Sequence, residues 1–169
     1  MDDRDANFLH VINAHGAALR RMTAGYERDP GRRQDLMQEI QLAIWQALPT
    51  FAGQCCERTF VLRVAHNRAI SHVRHWRLRH TEPLDDEPAV ADTRADPEQA
   101  ATDTERRLAL ERAVRQLPLG LRQVILLLLE GLSHREIGDV LGLSETNVAV
   151  RATRARKALI ELMSTRVSR

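Results

Sequence analysis

The 169-residue chain has few aromatic residues, cysteines, glycines or prolines, and each shortage narrows the possible folds. Aromatic residues make up 4% of the sequence, whereas Ala, Leu and Arg are abundant, which favours helices over a β-sandwich. The only cysteines, Cys55 and Cys56, are adjacent, so they provide neither a disulfide framework nor a Cys-only zinc site. No apolar run approaches the roughly 18 residues of a membrane span. The acidic start, MDDRDANFLH, is unlike a secretory signal. We expect a cytoplasmic protein without membrane insertion.

Charge is distributed unevenly along the chain. Residues 1–79 carry a net charge of +4, residues 80–103 a net charge of −7 and residues 104–169 a net charge of +5. The middle segment contains three of the six prolines and few large apolar side chains, so burial cannot offset its ordering entropy. We therefore predict an all-α protein in which two small helical domains, 1–79 and 104–169, are joined by a flexible acidic linker over 80–103. The alternative is a solvated loop inside one domain, which is unusual at this length.

The first domain is predicted to contain three helices, over 5–26, 31–48 and 57–79, because turn-type clusters separate these segments. In the second helix, a helical period places one apolar stripe on the core side: Leu36, Ile40, Ala43, Ile44 and Ala47. Leu42 and Trp45 lie opposite that stripe, where a protein interface would explain them. Alternatively, Trp45 only covers a neighbouring helix.

The third helix is strongly basic. No acidic residue occurs between Glu57 and Glu82, although six arginines do. At 100° per residue, Arg63, Asn67, Ser71 and Arg74 share one face, and the opposite side carries the packing residues Leu62, Ala69, Val73 and Trp76. Guanidinium groups bind phosphates and short polar side chains bind bases, so this face indicates nucleic-acid binding.

The second domain carries the pattern of a helix-turn-helix. Ser133 and Glu136 form a predicted capping box, Gly142 ends that helix, and Ser144 is placed to cap the last helix. In the last helix, Val148, Ala152, Ala155 and Leu159 are predicted to face the core. Another sector holds Asn147, Val150, Arg151 and Arg154, flanked by Arg156 and Lys157. Asn pairs with adenine and Arg with guanine in the major groove, so this face is able to read sequence. A helical hairpin with a merely solvated basic face is the alternative.

Three segments together resemble the extracytoplasmic-function (ECF) sigma factors, members of the sigma-70 family. Asp35-Leu36-Met37-Gln38-Glu39-Ile40, followed by Trp45, resembles the polymerase-binding helix of their region two. The segment from Arg58 to Asn67, RTFVLRVAHN, resembles their helix for the promoter −10 element. The segments LSHREIG and TNV, with RARKAL after them, resemble region four, which reads the −35 element. The resemblance covers most of the chain outside the linker, in the same order.

The resemblance implies a transcription-initiation factor with region two at 1–79 and region four at 104–169. It implies RNA polymerase core as a partner, through the β′ clamp helices and the β subunit, together with promoter DNA and an anti-sigma factor. The implied contacts fall into three sets: Asp35, Gln38, Glu39, Leu42 and Trp45 for polymerase; Phe60, Arg63, Asn67, Ser71 and Arg74 for the −10 element; and Ser144, Thr146, Asn147, Val150, Arg151, Arg154, Arg156 and Lys157 for the −35 element.

Two other classes of protein compete with this interpretation. A free-standing helix-turn-helix regulator would bind duplex DNA without polymerase, but it would leave Leu42, Trp45 and the basic third helix unexplained. A metal-dependent nuclease would need acidic ligands near His66, His72 and His75, and the surrounding sequence has none. We expect no enzymatic activity, no catalytic residue, no metal and no cofactor.

Overall fold

The computed structural model describes residues 3–79 and 100–164, which contain seven α-helices and no strand. The helices are α1 (Asp3–Tyr26), α2 (Pro30–Ala47), α3 (Glu57–Arg79), α4 (Ala100–Gln116), α5 (Leu119–Leu129), α6 (His134–Leu141) and α7 (Glu145–Ser164). A 3-10 turn, Leu48–Thr50, follows α2. The prediction of an all-α fold is confirmed. We call α1–α3 the N-terminal unit and α4–α7 the C-terminal unit.

The N-terminal unit packs α2 along α3 and against α1. Leu36, Ile40 and Ile44 have no exposed surface, so the predicted core stripe of α2 is confirmed at these positions. Ala43 and Ala47 are half-buried at its edges. The Asp29 side chain accepts a hydrogen bond from the amide of Arg32 and caps α2, whose first residue is a proline with its φ already suited to a helix.

The C-terminal unit packs α7 across α5, α6 and α4. Its centre includes the four α7 residues expected there, Val148, Ala152, Ala155 and Leu159, all of which are buried. Apolar side chains of α5 complete this core, including Val124 and Leu127 with no exposed surface.

The start of α4 differs from the sequence prediction. α4 begins at Ala100, inside the segment 80–103 that we predicted as linker. The reason is local, because two alanines begin the helix and, after three polar residues, a stretch rich in Arg, Glu, Leu and Ala follows, which are strong helix formers. The rest of the predicted linker, residues 80–99, lies outside the described residues.

The two units contact each other directly. α1 lies against α4 and α5, and α3 lies against α6. Buried apolar side chains of all seven helices form one continuous cluster. Among the described residues, no helix is both long enough and apolar enough to cross a membrane.

Candidate nucleic-acid interface

The helix-turn-helix of the C-terminal unit is built from local hydrogen bonds. The Ser133 hydroxyl accepts from the Glu136 amide at 3.2 Å, and the Glu136 carboxylate accepts from the Ser133 amide at 2.9 Å, which confirms the predicted capping box. α6 ends at Gly142, whose φ of +67° lies in the left-handed region that glycine adopts without strain. The Ser144 hydroxyl accepts from the amide of Asn147 at 3.3 Å and so caps α7 as predicted.

A second glycine permits the tight turn between α6 and α7. A Cβ atom at Gly138 would lie only 2.6 Å from the carbonyl oxygen of Leu143, which is a backbone atom. The Leu143 amide also donates to the Gly138 carbonyl at 3.0 Å. α6 therefore approaches the turn more closely than any residue with a side chain allows. This approach sets the position of α7 relative to the rest of the unit.

α7 presents a polar and basic face to solvent. Seven of the eight residues predicted to meet the −35 element are exposed: Ser144, Thr146, Asn147, Val150, Arg154, Arg156 and Lys157. Val150 is 44% exposed in the middle of that face, where an apolar side chain suits the methyl group of thymine. Arg151 is half-buried, and its Nη1 would lie 3.4 Å from a Cβ at Gly120, so its side chain lies over the first turn of α5.

α3 presents the second basic face. Asn67, Ser71 and Arg74 are exposed and Arg63 is half-buried, so the predicted polar front of α3 faces outward. The Ser71 hydroxyl donates to the Asn67 carbonyl of its own helix at 3.0 Å. Leu62 and Ala69, predicted to lie behind this face, are fully buried.

Phe60 is placed differently from the other residues predicted to meet the −10 element. Only 5% of its surface is exposed. Its ring packs against Phe51, with 4.7 Å between centroids, and the Arg63 guanidinium lies 5.6 Å from its centroid. Phe60 therefore ties the loop after α2 to α3, and its role at the −10 element stays a prediction.

A buried polar pair supports α3 from behind. The Tyr26 hydroxyl and His66 Nδ1 are 3.0 Å apart, and both residues are almost completely buried. Burial lowers the pKa of His66 to about 4 and raises the pKa of Tyr26 above its usual range. At neutral pH, His66 is therefore a neutral imidazole that shares a hydrogen bond with the phenol. His66 thus has a structural role behind the basic face.

The predicted polymerase-binding face of α2 is partly occupied by its own unit. Asp35, Gln38 and Leu42 are exposed, Leu42 by 56%. Glu39 accepts from Arg68 at 3.1 Å. Trp45 lies beneath Arg4 of α1, whose guanidinium carbon is 3.6 Å from the ring centroid. The alternative interpretation, that Trp45 covers a neighbouring helix, thus describes its packing, whereas a role in polymerase binding stays a prediction.

Sequence reasoning missed a set of residues that join the two units: Arg21, Arg58, Thr59, Glu130 and Glu136. Glu130 is buried to 97%, although it follows a run of four leucines as the lone acid. A lone carboxylate directly after such an apolar run could have indicated a buried charge that needs a basic partner. Glu136 gave no separate signal, because its place in the capping box already explained it. In the described part of the chain, no cluster of His, Cys, Asp and Glu is suited to hold a metal ion.

The sequence comparisons place these two units in one class of protein. The sigma-70 region 2 family model matches residues 11–78, and the sigma-70 region 4 family model matches residues 107–159. The first match lies in the N-terminal unit and the second in the C-terminal unit, and together the two matches cover most of the described residues. The two units are therefore those of a sigma-70 family protein.

The relatives define the group within that family. The chain is 35% identical over 162 residues to the ECF RNA polymerase sigma factor SigF of Caulobacter vibrioides, which covers 95% of this chain and 84% of that protein. It is 26% identical over 157 residues to the ECF sigma factor SigM of Mycobacterium tuberculosis, covering 92% of this chain and 76% of that one. The chain belongs to the ECF RNA polymerase sigma factors, as the sequence resemblance predicted, and has an RNA polymerase sigma factor function.

Two solved structures share the fold across both units. The sigma factor RpoE of Bartonella quintana, in complex with the anti-sigma factor NepR, superposes with a TM-score of 0.70 over 97% of this chain and 98% of that one, at 18% identity. CnrH, in complex with the cytosolic domain of CnrY, gives a TM-score of 0.67 over 95% of this chain and 90% of that one, at 24% identity.

Proposed function

We propose that this sigma factor directs RNA polymerase core to promoters by reading a −10 element with α3 and a −35 element with α7. The observation that carries this proposal is the pair of outward-facing basic surfaces, one on each unit. α3 has no acid after its first residue, and α7 has none between Glu145 and Glu161. Neutralising phosphates requires such surfaces, and the exposed Asn and Arg side chains suit base edges.

The two faces suit different forms of DNA. α7 is the second helix of a helix-turn-helix, which enters the major groove of a duplex with its N-terminal residues. The face of α3 lies beside the loop over residues 50–57, and we assign this pair to an unpaired −10 strand from which a base is flipped. Unstacking that base costs a few kcal/mol, which contacts to loop and helix must offset.

We assign binding of RNA polymerase to the exposed face of α2. Asp35, Gln38 and Leu42 offer a charged, a polar and an apolar contact on one side of the helix, and this mixture suits a protein interface. We assign this face to the β′ clamp helices, and we expect an anti-sigma factor to compete for the sigma factor.

The first test reconstitutes the complete system. The purified chain is mixed with RNA polymerase core, and transcription start sites are mapped across the genome. We expect new starts that share two upstream motifs at a fixed spacing. Binding of the chain to duplex DNA with no core-dependent starts would instead support a free-standing regulator.

The second test examines the α2 face with Leu42→Ser. Because Leu42 is 56% exposed, this change removes an apolar contact without opening the core. We expect core affinity to fall by about fivefold or more, or about 1 kcal/mol, and helix content to stay unchanged. Leu78→Ser is the matched control, since Leu78 is an 83% exposed leucine on α3. Equal losses of affinity in both variants would contradict the assignment of the α2 face.

A further inference from the structure

A cavity of about 160 Å³ lies where α1 meets α4 and α5. Most of its wall is apolar, and five residues of these three helices supply that part: Gly25, Leu110, Val114, Leu126 and Leu129. Val114 and Leu126 are buried, whereas Leu129 is 52% exposed. The cavity therefore has an apolar inner wall and reaches solvent beside Leu129.

Tight packing on one side fixes the size of this cavity. A Cβ atom at Gly25 would lie 2.4 Å from Leu126 Cδ2 and 2.9 Å from Leu126 Cδ1, so any other residue at this position would displace Leu126. α1 and α5 are thus in close contact at Gly25, while the space beside that contact, next to Val114 of α4, stays unfilled. Protein interiors contain few voids larger than a water molecule, so an apolar space of this volume needs an explanation.

The four charged side chains that line the cavity pair with one another. Arg21 donates to both carboxylate oxygens of Glu130, at 2.8 Å and 2.7 Å. Arg107 Nε lies 3.8 Å from Glu111 Oε1, one turn further along α4. The wall therefore has no charge of either sign left over. A charged ligand would lose its hydration here without gaining a partner, whereas an uncharged apolar ligand would not pay that penalty.

The volume of the cavity narrows the class of ligand further. An apolar protein cavity of about 150 Å³ stays free of water and binds benzene or xenon. The cavity at α1, α4 and α5 has nearly the same volume and a similar apolar wall. A water molecule needs about two to four polar partners, and the polar groups of this wall are already paired. An apolar molecule with one ring therefore suits the space better than water does.

We propose that this cavity is a binding site for a small, uncharged, apolar molecule about the size of a single aromatic ring. The site goes beyond the proposed function in transcription and does not rest on it. Binding is driven by transfer of the ligand's apolar surface from water into a wall that is already formed. The ligand enters beside Leu129 and Arg107, which line the cavity and are 52% and 68% exposed.

The first experiment measures binding of toluene to the full chain by calorimetry and by ligand-observed nuclear magnetic resonance. We expect saturable binding of one toluene per chain, with a dissociation constant of about 1 mM or lower. Benzoate and benzylammonium have nearly the same size but carry a charge, and both should bind at least about tenfold more weakly. Equal affinities of the three probes, or no saturable binding of toluene, would overturn the proposal.

The second experiment fills the cavity from its inner wall. Val114 is only 2% exposed and lines the cavity, so a larger side chain at this position enters the space. We expect Val114→Phe to weaken toluene binding by about tenfold or more. Leu108→Phe is the matched control, because Leu108 is 44% exposed on the same helix and lies outside the cavity wall. Wild-type affinity in Val114→Phe, or an equal loss in both variants, would show that toluene binds elsewhere and would overturn the proposal.

The third experiment enlarges the cavity at the same position, and it decides the question even where Val114→Phe fails to fold. Val114→Ala shortens a side chain of the wall, so the cavity should admit a larger ring. We expect the affinity for p-xylene, relative to that for toluene, to rise by about threefold or more. Circular dichroism checks that helix content matches the wild type. An unchanged ratio of the two affinities in a folded Val114→Ala protein would overturn the proposal.

Discussion

The two units present basic helices to solvent, but they position them by different means. In the C-terminal unit, α7 is fixed by features that are neighbours in sequence: the capping box, the close approach at Gly138 and the cap at Ser144. In the N-terminal unit, α3 is fixed by partners far away in sequence. Tyr26 pairs with His66 across 40 residues, and Arg68 of α3 donates to Glu39 of α2 across 29 residues. A short sequence motif is enough to position α7 in the C-terminal unit, whereas the position of α3 in the N-terminal unit depends on tertiary packing.

This difference predicts how each unit fails when it is altered. Damage to a local motif should disturb the C-terminal unit alone, and damage to a long-range contact should unfold the N-terminal unit. The chain allows the two to be followed separately because both tryptophans, Trp45 and Trp76, belong to the N-terminal unit. Tryptophan fluorescence therefore reports the N-terminal unit, and circular dichroism reports helices in both.

The largest expected effect is that of Phe60→Ala. Removing a buried ring that rests on Phe51 leaves a cavity, and we expect the free energy of unfolding to fall by about 3–4 kcal/mol. Urea unfolding followed by tryptophan fluorescence measures this loss. Asn67→Ala is the control on the same helix, since Asn67 is exposed and should change stability by no more than about 0.5 kcal/mol. Equal stabilities of the two variants would show that Phe60 is not part of the core.

The next effect is a pH dependence from His66. Its pKa is lowered to about 4 in the folded unit, so between pH 6.5 and 4 the unfolded chain binds the proton and the folded one does not. His66 therefore lowers the free energy of unfolding as pH falls through that range, by about 3 kcal/mol in all. Fluorescence-detected unfolding at pH 7 and at pH 4.5 measures the loss. His66→Gln should remove most of it and His10→Gln, at an exposed position, should not.

A third effect concerns the C-terminal unit alone. Gly138→Ala forces a methyl group against the Leu143 carbonyl, and we expect the unit to lose about 2 kcal/mol. Gly16→Ala, where a Cβ meets only a flexible arginine at 3.5 Å, should stabilise α1 by up to about 1 kcal/mol. Circular dichroism should show the loss in Gly138→Ala while tryptophan fluorescence stays unchanged. A fluorescence change of equal size would mean that the two units unfold together.

The sequence predicted what depends on periodicity and local capping. The three helices of the N-terminal unit, the core stripe of α2 and the helix-turn-helix all follow from spacing within about 20 residues, and the structure confirms them. Two features depend on residues that are distant in the chain. The buried polar pair of the N-terminal unit requires Tyr26 to meet His66 across 40 residues, and the contact between the units requires Glu130 to meet Arg21 across 109 residues. No periodic pattern records such a pairing.

The smallest expected effects separate base reading from phosphate contact on α7. Arg154 is exposed on the same face as Asn147 and Val150, and we assign it to a base edge. Lys157 is exposed one turn further along, where a helix leaves the groove and meets phosphates. Arg154→Ala should cost roughly 1–2 kcal/mol at one −35 base pair and little when that pair is already changed. Lys157→Ala should weaken binding to every variant alike.

The measurement is binding of holoenzyme to a panel of promoters that carry single −35 substitutions, repeated at several salt concentrations. Lys157→Ala should also lower the slope of log affinity against log salt by about 1, because one fewer counterion is released. Preference at the −10 element should be unchanged in both proteins, because α3 is intact. Uniform losses across the panel for both variants would mean that α7 holds the backbone and reads no base, in which case sequence preference would have to come from the N-terminal unit.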